Sequence, residues 1–117
     1  MPTLTEGLRR AEFLLGEADD LIAYDSVTYA AVASTAIKPG TVLGKVTATG
    51  HFKPYASGNS DGSQTAVAIA LDWVPVNAST QKGVVVSRLV EVNRALLTGL
   101  DAAAETALAS RNIIVRP

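Results

Sequence analysis

The sequence predicts an α+β domain, mainly β: one compact unit of short strands with a single helix near the C-terminus. Three observations carry this. From Val27 to Val92, runs rich in Val, Ile, Thr and Ala alternate with Gly-, Pro-, Asn- and Ser-rich turns. Behind Asp101, the residues Leu100, Ala104, Ala107 and Leu108 fall on one face of a helix. The chain has 117 residues, of which 48% are hydrophobic but only 5% aromatic. That is one domain's length, and it predicts a core packed from small side chains. A chain this long buries roughly two-thirds of the surface it exposes unfolded.

The elements follow in order. In residues 1–25, Leu4, Leu8, Ala11 and Leu15 have helical spacing, and Thr3 with Glu6 has the form of a capping box. Gly7 and Gly16 weaken such a helix, which is marginal without a surface to pack on. A helix on the body and an arm that orders on a partner both fit. Ser26 to Val32 reads as a strand, followed by a Pro39-Gly40 turn. Thr41 to Thr49 alternates like a half-buried strand, and His51 to Tyr55 runs back as its partner. Ala56 to Gln64 has the composition of a mobile loop. Thr65 to Leu71 is small and apolar throughout, as in a strand buried on both faces. Pro75 punctuates, Asn77 to Gly83 reads as a polar loop, and Val84 to Val92 is the strongest β run. Asp101 opens the helix, Arg111 closes it, and Asn112 suits a left-handed cap before a last strand, Ile113 to Val115.

Charge divides the chain. Residues 1–25 hold six acids against Arg9 and Arg10, a net −4, and the remainder is +3. The N-terminal segment is thus compositionally separate, giving an expected division into 1–25 and 26–117. Charged residues are 18%, below the usual quarter or so, which suits a surface partly covered by a partner. No basic patch of the nucleic-acid type occurs, no apolar run reaches membrane-span length, and the N-terminus does not read as a signal peptide. Synthesis in a cytoplasm is expected. The absence of cysteine removes disulfides, thiolate metal sites and thiol nucleophiles.

Catalytic constellations fail on counting. His51 is the single histidine and cannot build a conventional zinc site. No G-x-S-x-G elbow accompanies it. Gly40 to Lys45 has three residues between its glycines where a phosphate loop needs four, and Val46 follows the lysine. Ser57 to Gly62 hints at a calcium loop, but the position for the bidentate glutamate is Ala68. Glu17, Asp19 and Asp20 read as a solvated turn. No catalytic residue, metal or cofactor is expected. Trp73, beside Val74-Pro75, is the one large anchor side chain, and both a core or rim packing residue and an interface anchor fit it.

Several segments together resemble one family. Phe13-Leu14-Leu15-Gly16-Glu17 is similar to the F-L-x-x-E opening of lambda-type bacteriophage head decoration proteins. Pro39 to Thr47 resembles that family's turn and strand, and Lys53-Pro54-Tyr55 its following segment. Asp61 to Ile69, Arg88 with Val90-Glu91-Val92, and Ile113 to Arg116 match later segments in the same order. The departure is at Leu21 to Tyr24, where many members carry a short Ser-Arg element. The resemblance implies a β-tulip-like fold with an extended N-terminal arm. It implies a homotrimer at threefold positions on the outer surface of an expanded icosahedral head, bound to the major capsid protein and holding the shell against DNA pressure. Nucleic acid and membrane are not implied as partners. The arm would add a strand to a capsid sheet, which places Leu4, Leu8, Phe13, Leu14, Leu15 and Glu17 in the capsid-binding arm. Tyr55, Trp73, Val74 and Pro75 are candidates for a trimer or shell interface. The runner-up reading is a small monomeric β-barrel module for a ligand or peptide.

Overall fold

The computed structural model describes residues 14–17, 24–32 and 35–117. Within them lie eight strands: β1 (Leu14–Glu17), β2 (Tyr24–Tyr29), β3 (Val42–Lys45), β4 (Phe52–Pro54), β5 (Ala66–Ala70), β6 (Gln81–Val86), β7 (Val90–Asn93) and β8 (Ile113–Arg116). A 3-10 turn covers Arg94–Leu96, and the helix α1 covers Ala102–Ala109. Strands β2-β4-β3-β5-β6 close into a barrel, while β1-β7-β8 form a separate three-stranded sheet. Among the described residues, the structure shows the expected mainly-β unit with one C-terminal helix.

Two cores share three strands. Inside the barrel sit Tyr29, Leu43, Ala68, Ala70 and Val85, joined by Val32, Ile37 and Val74. Between the barrel, α1 and the three-stranded sheet sit Val42, Ile69, Leu71, Val86, Val90, Val92, Ala104, Leu108 and Ile113. Period-2 alternation makes this possible. Val42 and Leu43, Ile69 and Ala70, and Val85 and Val86 each send successive side chains to opposite cores. β5 is therefore buried on both faces, as its small apolar composition predicts. Its pairing with β3 steps from Leu43↔Ala68 to Gly44↔Ala66, so Val67 is an extra residue on β5. That bulge switches Ala66 to the core beneath the helix while Ala68 faces the barrel interior.

The barrel is tight enough to demand glycine at two positions. A Cβ on Gly44 would stand 2.5 Å from the Cα of Ser63, and one on Gly83 would stand 2.9 Å from Cδ2 of the Tyr29 ring. The barrel closes at a narrow seam. β2 and β4 are parallel and register only at Tyr29↔Phe52, with the Ala30 amide donating to the Phe52 carbonyl at 2.8 Å.

Three expectations need correction. The run Val84 to Val92 is two strands, because Ser87–Leu89 carry the chain from the barrel to the other sheet and Leu89 takes a left-handed φ of 57°. The strand from Thr41 stops at Lys45, because the Thr47 amide donates to the Asp61 carbonyl at 2.9 Å and Val46–Gly50 turns back. β6 begins at Gln81, inside the segment expected as a loop. Ala56 to Gln64 is a loop, as its composition predicts, and Asn59 to Gln64 within it are hydrogen-bonded to one another beside β3. The helix behaves as read: Asp101 caps it, accepting from the Ala104 amide at 2.7 Å, and Asn112 follows with φ 61°. Arg111 lies just beyond its last turn.

Of residues 1–25, two pieces are described. Leu14–Glu17 pairs antiparallel with β7, and Tyr24-Asp25 already belong to β2. The expected helix or arm over 3–10, and the positions Leu4, Leu8 and Phe13, lie outside the described residues.

Candidate functional site

The candidate residues fall in three places. Leu14, Leu15 and Glu17 form the backbone of β1, an edge strand whose partners on β7 are Val92, Glu91 and Val90. Its register shifts between Leu14 and Gly16. The backbone there is extended, so the Leu14–Glu17 part of the resembling segment enters the body as a strand.

Trp73, Val74 and Pro75 lie on the loop after β5. Val74 is buried against Ile37, and the two exchange backbone hydrogen bonds of 2.9 Å in both directions. Asn77 and Val32 exchange a second such pair at 3.0 Å. These bridges tie the loop down at both ends. Between and beside them, Trp73 is 45% exposed and Val76 is 51% exposed, with Pro75 also outward. The Trp73 amide donates to Asp72 Oδ1 at 2.8 Å, and Gln81 Nε2 donates to the Pro75 carbonyl at 2.7 Å. The result is a fixed apolar patch with Val74 as its internal anchor. Val76 escaped sequence reading; only its place one residue beyond Pro75 could have marked it.

Tyr55 is elsewhere. It is 7% exposed and packs in the core beneath α1. Its hydroxyl donates to both carboxylate oxygens of Asp101 at 3.0 Å, so it braces the helix cap. Burial first, then the Asp101 carboxylate, pushes the Tyr55 hydroxyl up in pKa. The structure does not bring Tyr55 into the Trp73 patch.

Two polar assemblies hold the body in shape. In the loop 59–64, Asp61 accepts from the Ser63 hydroxyl and amide, and Lys53 Nζ lies 3.1 Å from its other oxygen. Asn59 Nδ2 donates to Ser63 Oγ, and the Gly62 amide donates to Gln64 Oε1, both at 2.8 Å. The Ser63 donors, then Lys53, hold the Asp61 carboxyl well below the usual carboxylate range. The side chains that hinted at a calcium loop are thus occupied with one another. The second assembly is a clasp at the junction of the two sheets. Asp25 accepts from Ser87 Oγ at 2.8 Å and from Arg88 at 2.6 Å. Burial works to raise the Asp25 pKa, but Ser87 and Arg88 outweigh it and the net direction is down.

Gly40 to Lys45 is the turn and strand its spacing required, with Gly40 donating to the Ala70 carbonyl at 2.9 Å. Among the described residues, no group of three His, Asp or Glu side chains is placed to hold a metal, and no helix is long and apolar enough to cross a membrane.

Fold and surface thus define a small β-barrel protein whose prominent features are surfaces for contact. The chain belongs to the bacteriophage lambda head decoration protein D family, whose model matches residues 3–113. No curated protein matches it. The family is structural and not enzymatic, so the chain is a phage head decoration protein and its place is with the capsid.

Proposed function

We propose that this protein binds the exterior of an expanded icosahedral shell as a homotrimer at threefold positions, and braces adjoining capsid subunits against the pressure of packaged DNA. The family match across residues 3–113 carries this reading. The structure supports it with two features. One is the extended entry of the chain through β1 at a sheet edge, which suits main-chain pairing of the upstream residues with a capsid sheet. The other is the pinned patch of Trp73, Pro75 and Val76, which suits an anchor between trimer subunits or on the shell. In this reading the capsid-binding arm comprises Leu4, Leu8, Phe13, Leu14, Leu15 and Glu17. Tyr55 and Val74 act from inside, one holding α1 and the other holding the patch.

The test is cosedimentation with purified expanded and unexpanded shells, with mass in solution read by light scattering. Saturable binding to expanded shells by a trimer is expected, together with a raised rupture temperature of the decorated shell. Equal binding to both shells, or a stable monomer, overturns the proposal. Removing residues 1–13 leaves β1 intact and should abolish docking. Trp73→Ser should weaken trimerisation or docking by roughly 30-fold, the size expected of an interface hot spot.

A further inference from the structure

Asp61-Gly62 is the one Asp-Gly pair in the chain. Such a pair is prone to a covalent change as a protein ages, because no Cβ on glycine shields its amide nitrogen. That nitrogen attacks the aspartic Cγ. An N–Cγ bond forms, the bond from Cγ to the carboxyl hydroxyl breaks, and the hydroxyl leaves with the amide proton as water. Water then opens the succinimide at either carbonyl, giving back aspartate or leaving isoaspartate. The fold requires the glycine here. Gly62 has a φ of 109°, and a Cβ on it would stand 2.7 Å from the Lys45 carbonyl oxygen and 2.8 Å from the Thr47 amide nitrogen.

We propose that the hydrogen bonds of the loop 59–64 guard this pair, making Asp61 a latent isoaspartate site that the folded chain keeps shut. Both reacting groups are engaged elsewhere. The Gly62 amide donates to Gln64 Oε1 at 2.8 Å, so the attacking nitrogen is turned to another acceptor. Asp61 Oδ1 accepts from the Ser63 hydroxyl and from the Ser63 amide at 3.0 Å, and Oδ2 accepts from Lys53 Nζ at 3.1 Å. Bringing Cγ onto the Gly62 nitrogen breaks these contacts. The main chain is held as well, since the Thr47 amide donates to the Asp61 carbonyl at 2.9 Å. Ring closure draws on the protonated carboxyl, whose hydroxyl can leave. The Ser63 donors, then Lys53, hold the Asp61 carboxyl well below the usual carboxylate range, which keeps that form scarce. Burial is not the guard, because the Asp61 side chain is 38% exposed. This inference does not depend on shell docking, which can fail while the guard still holds.

The experiment ages the full chain beside acetyl-Ser-Asp-Gly-Ser-Gln-amide in warm neutral buffer and quantifies isoaspartate at residue 61 by peptide mapping. The folded chain should form it at least about 100-fold more slowly than the peptide, as several hydrogen bonds must break first. Gln64→Ala, at an exposed position, frees the Gly62 amide and should speed the reaction about fivefold with the far-ultraviolet spectrum unchanged. Val115→Ala trims a side chain packed on the core beneath α1 and leaves the loop alone, so it should keep the parent's rate. Equal rates in folded chain and peptide overturn the proposal, and so does a parent-like rate in Gln64→Ala. Equal acceleration by Gln64→Ala and Val115→Ala also overturns it, because protection would then come from global stability and not from the loop.

Discussion

Gly83→Ala tests the packing of the barrel at one atom. Gly83 sits on β6 opposite Val27. Its φ is not among the positive values in the chain, so alanine fits the backbone, and relief of unfolded-state entropy alone would stabilise by about 0.4–1 kcal/mol. The Tyr29 ring forbids that gain. A Cβ would press on Cε2 and lie 2.9 Å from Cδ2, and Tyr29 is fully buried with Leu43, Val85 and Val74 around it. Forcing a methyl into such a site costs about 1–3 kcal/mol, so a net loss of about 1–2 kcal/mol is expected after the entropic offset. Taking about 2.1 cal/mol/K of unfolding entropy per residue, the melting temperature should fall by about 4–8 °C. Urea unfolding and calorimetry measure it. Gly83→Ala in a Tyr29→Leu background should recover much of the loss, a coupling of about 1–2 kcal/mol. A neutral or stabilising Gly83→Ala, or strict additivity in the double mutant, would show that the Tyr29 ring does not crowd this position.

The hydroxyl of Tyr29 is buried without a hydrogen-bond partner, and burial, then the charge of Asp72, pushes its pKa up. The unfolded state therefore loses this proton first, and stability falls as pH rises above about 10. Tyr29→Phe should be neutral to about 1 kcal/mol stabilising at pH 7, with a flatter alkaline limb in urea titrations. Asp61 has a lowered pKa, so its contribution is present above the unfolded carboxyl pKa near 4 and is lost as pH falls below it. Asp61→Ala should weaken acid resistance, moving the acid-unfolding midpoint to higher pH by circular dichroism. Leu108→Ala, removing a fully buried side chain beneath α1, should cost about 2–5 kcal/mol in chemical denaturation.

Much of the fold is legible because the strands that matter are buried on both faces and say so. Thr65 to Leu71 could hardly be anything but a central strand, and Asp101 with Ala104 and Leu108 could hardly avoid a capped helix. The misreadings share one cause: local composition does not report tertiary partners. Val84 to Val92 reads as one strand because both halves are apolar, yet the two halves serve different sheets. The Asp25 clasp, which lies 62 residues away from Ser87 in sequence, makes the turn between them. Ala56 to Gln64 has every mark of a free loop, but Ser63 is fully buried, lodged against Gly44. The interface candidates divide for the same reason. Trp73 and Pro75 are outward, whereas Tyr55 is held by a carboxylate 46 residues distant.

The clasp also bears on how a docking segment would act. Among the described residues β1 pairs with β7, and β7 follows directly on the Ser87–Leu89 break where Asp25 holds Ser87 and Arg88. The angle between barrel and three-stranded sheet therefore fixes the direction from which the upstream chain arrives. A single arm with a loose root samples many directions, and a trimer gains avidity only when its arms point at their sites together. Asp25→Asn keeps the shape of the side chain and removes its charge. The pair is about 40% exposed on each side, so the loss of stability should stay near 0–1 kcal/mol. Docking to shells, if the proposed trimer is right, should fall by a larger factor than that loss explains. The chain has no cysteine, so spin labels at Thr49 and Ile114 can report the angle between the two sheets as a distance distribution. Asp25→Asn should broaden it. A distribution as narrow as the parent's, with docking still weakened, would place the role of Asp25 in direct contact with the shell instead of in the angle between the sheets.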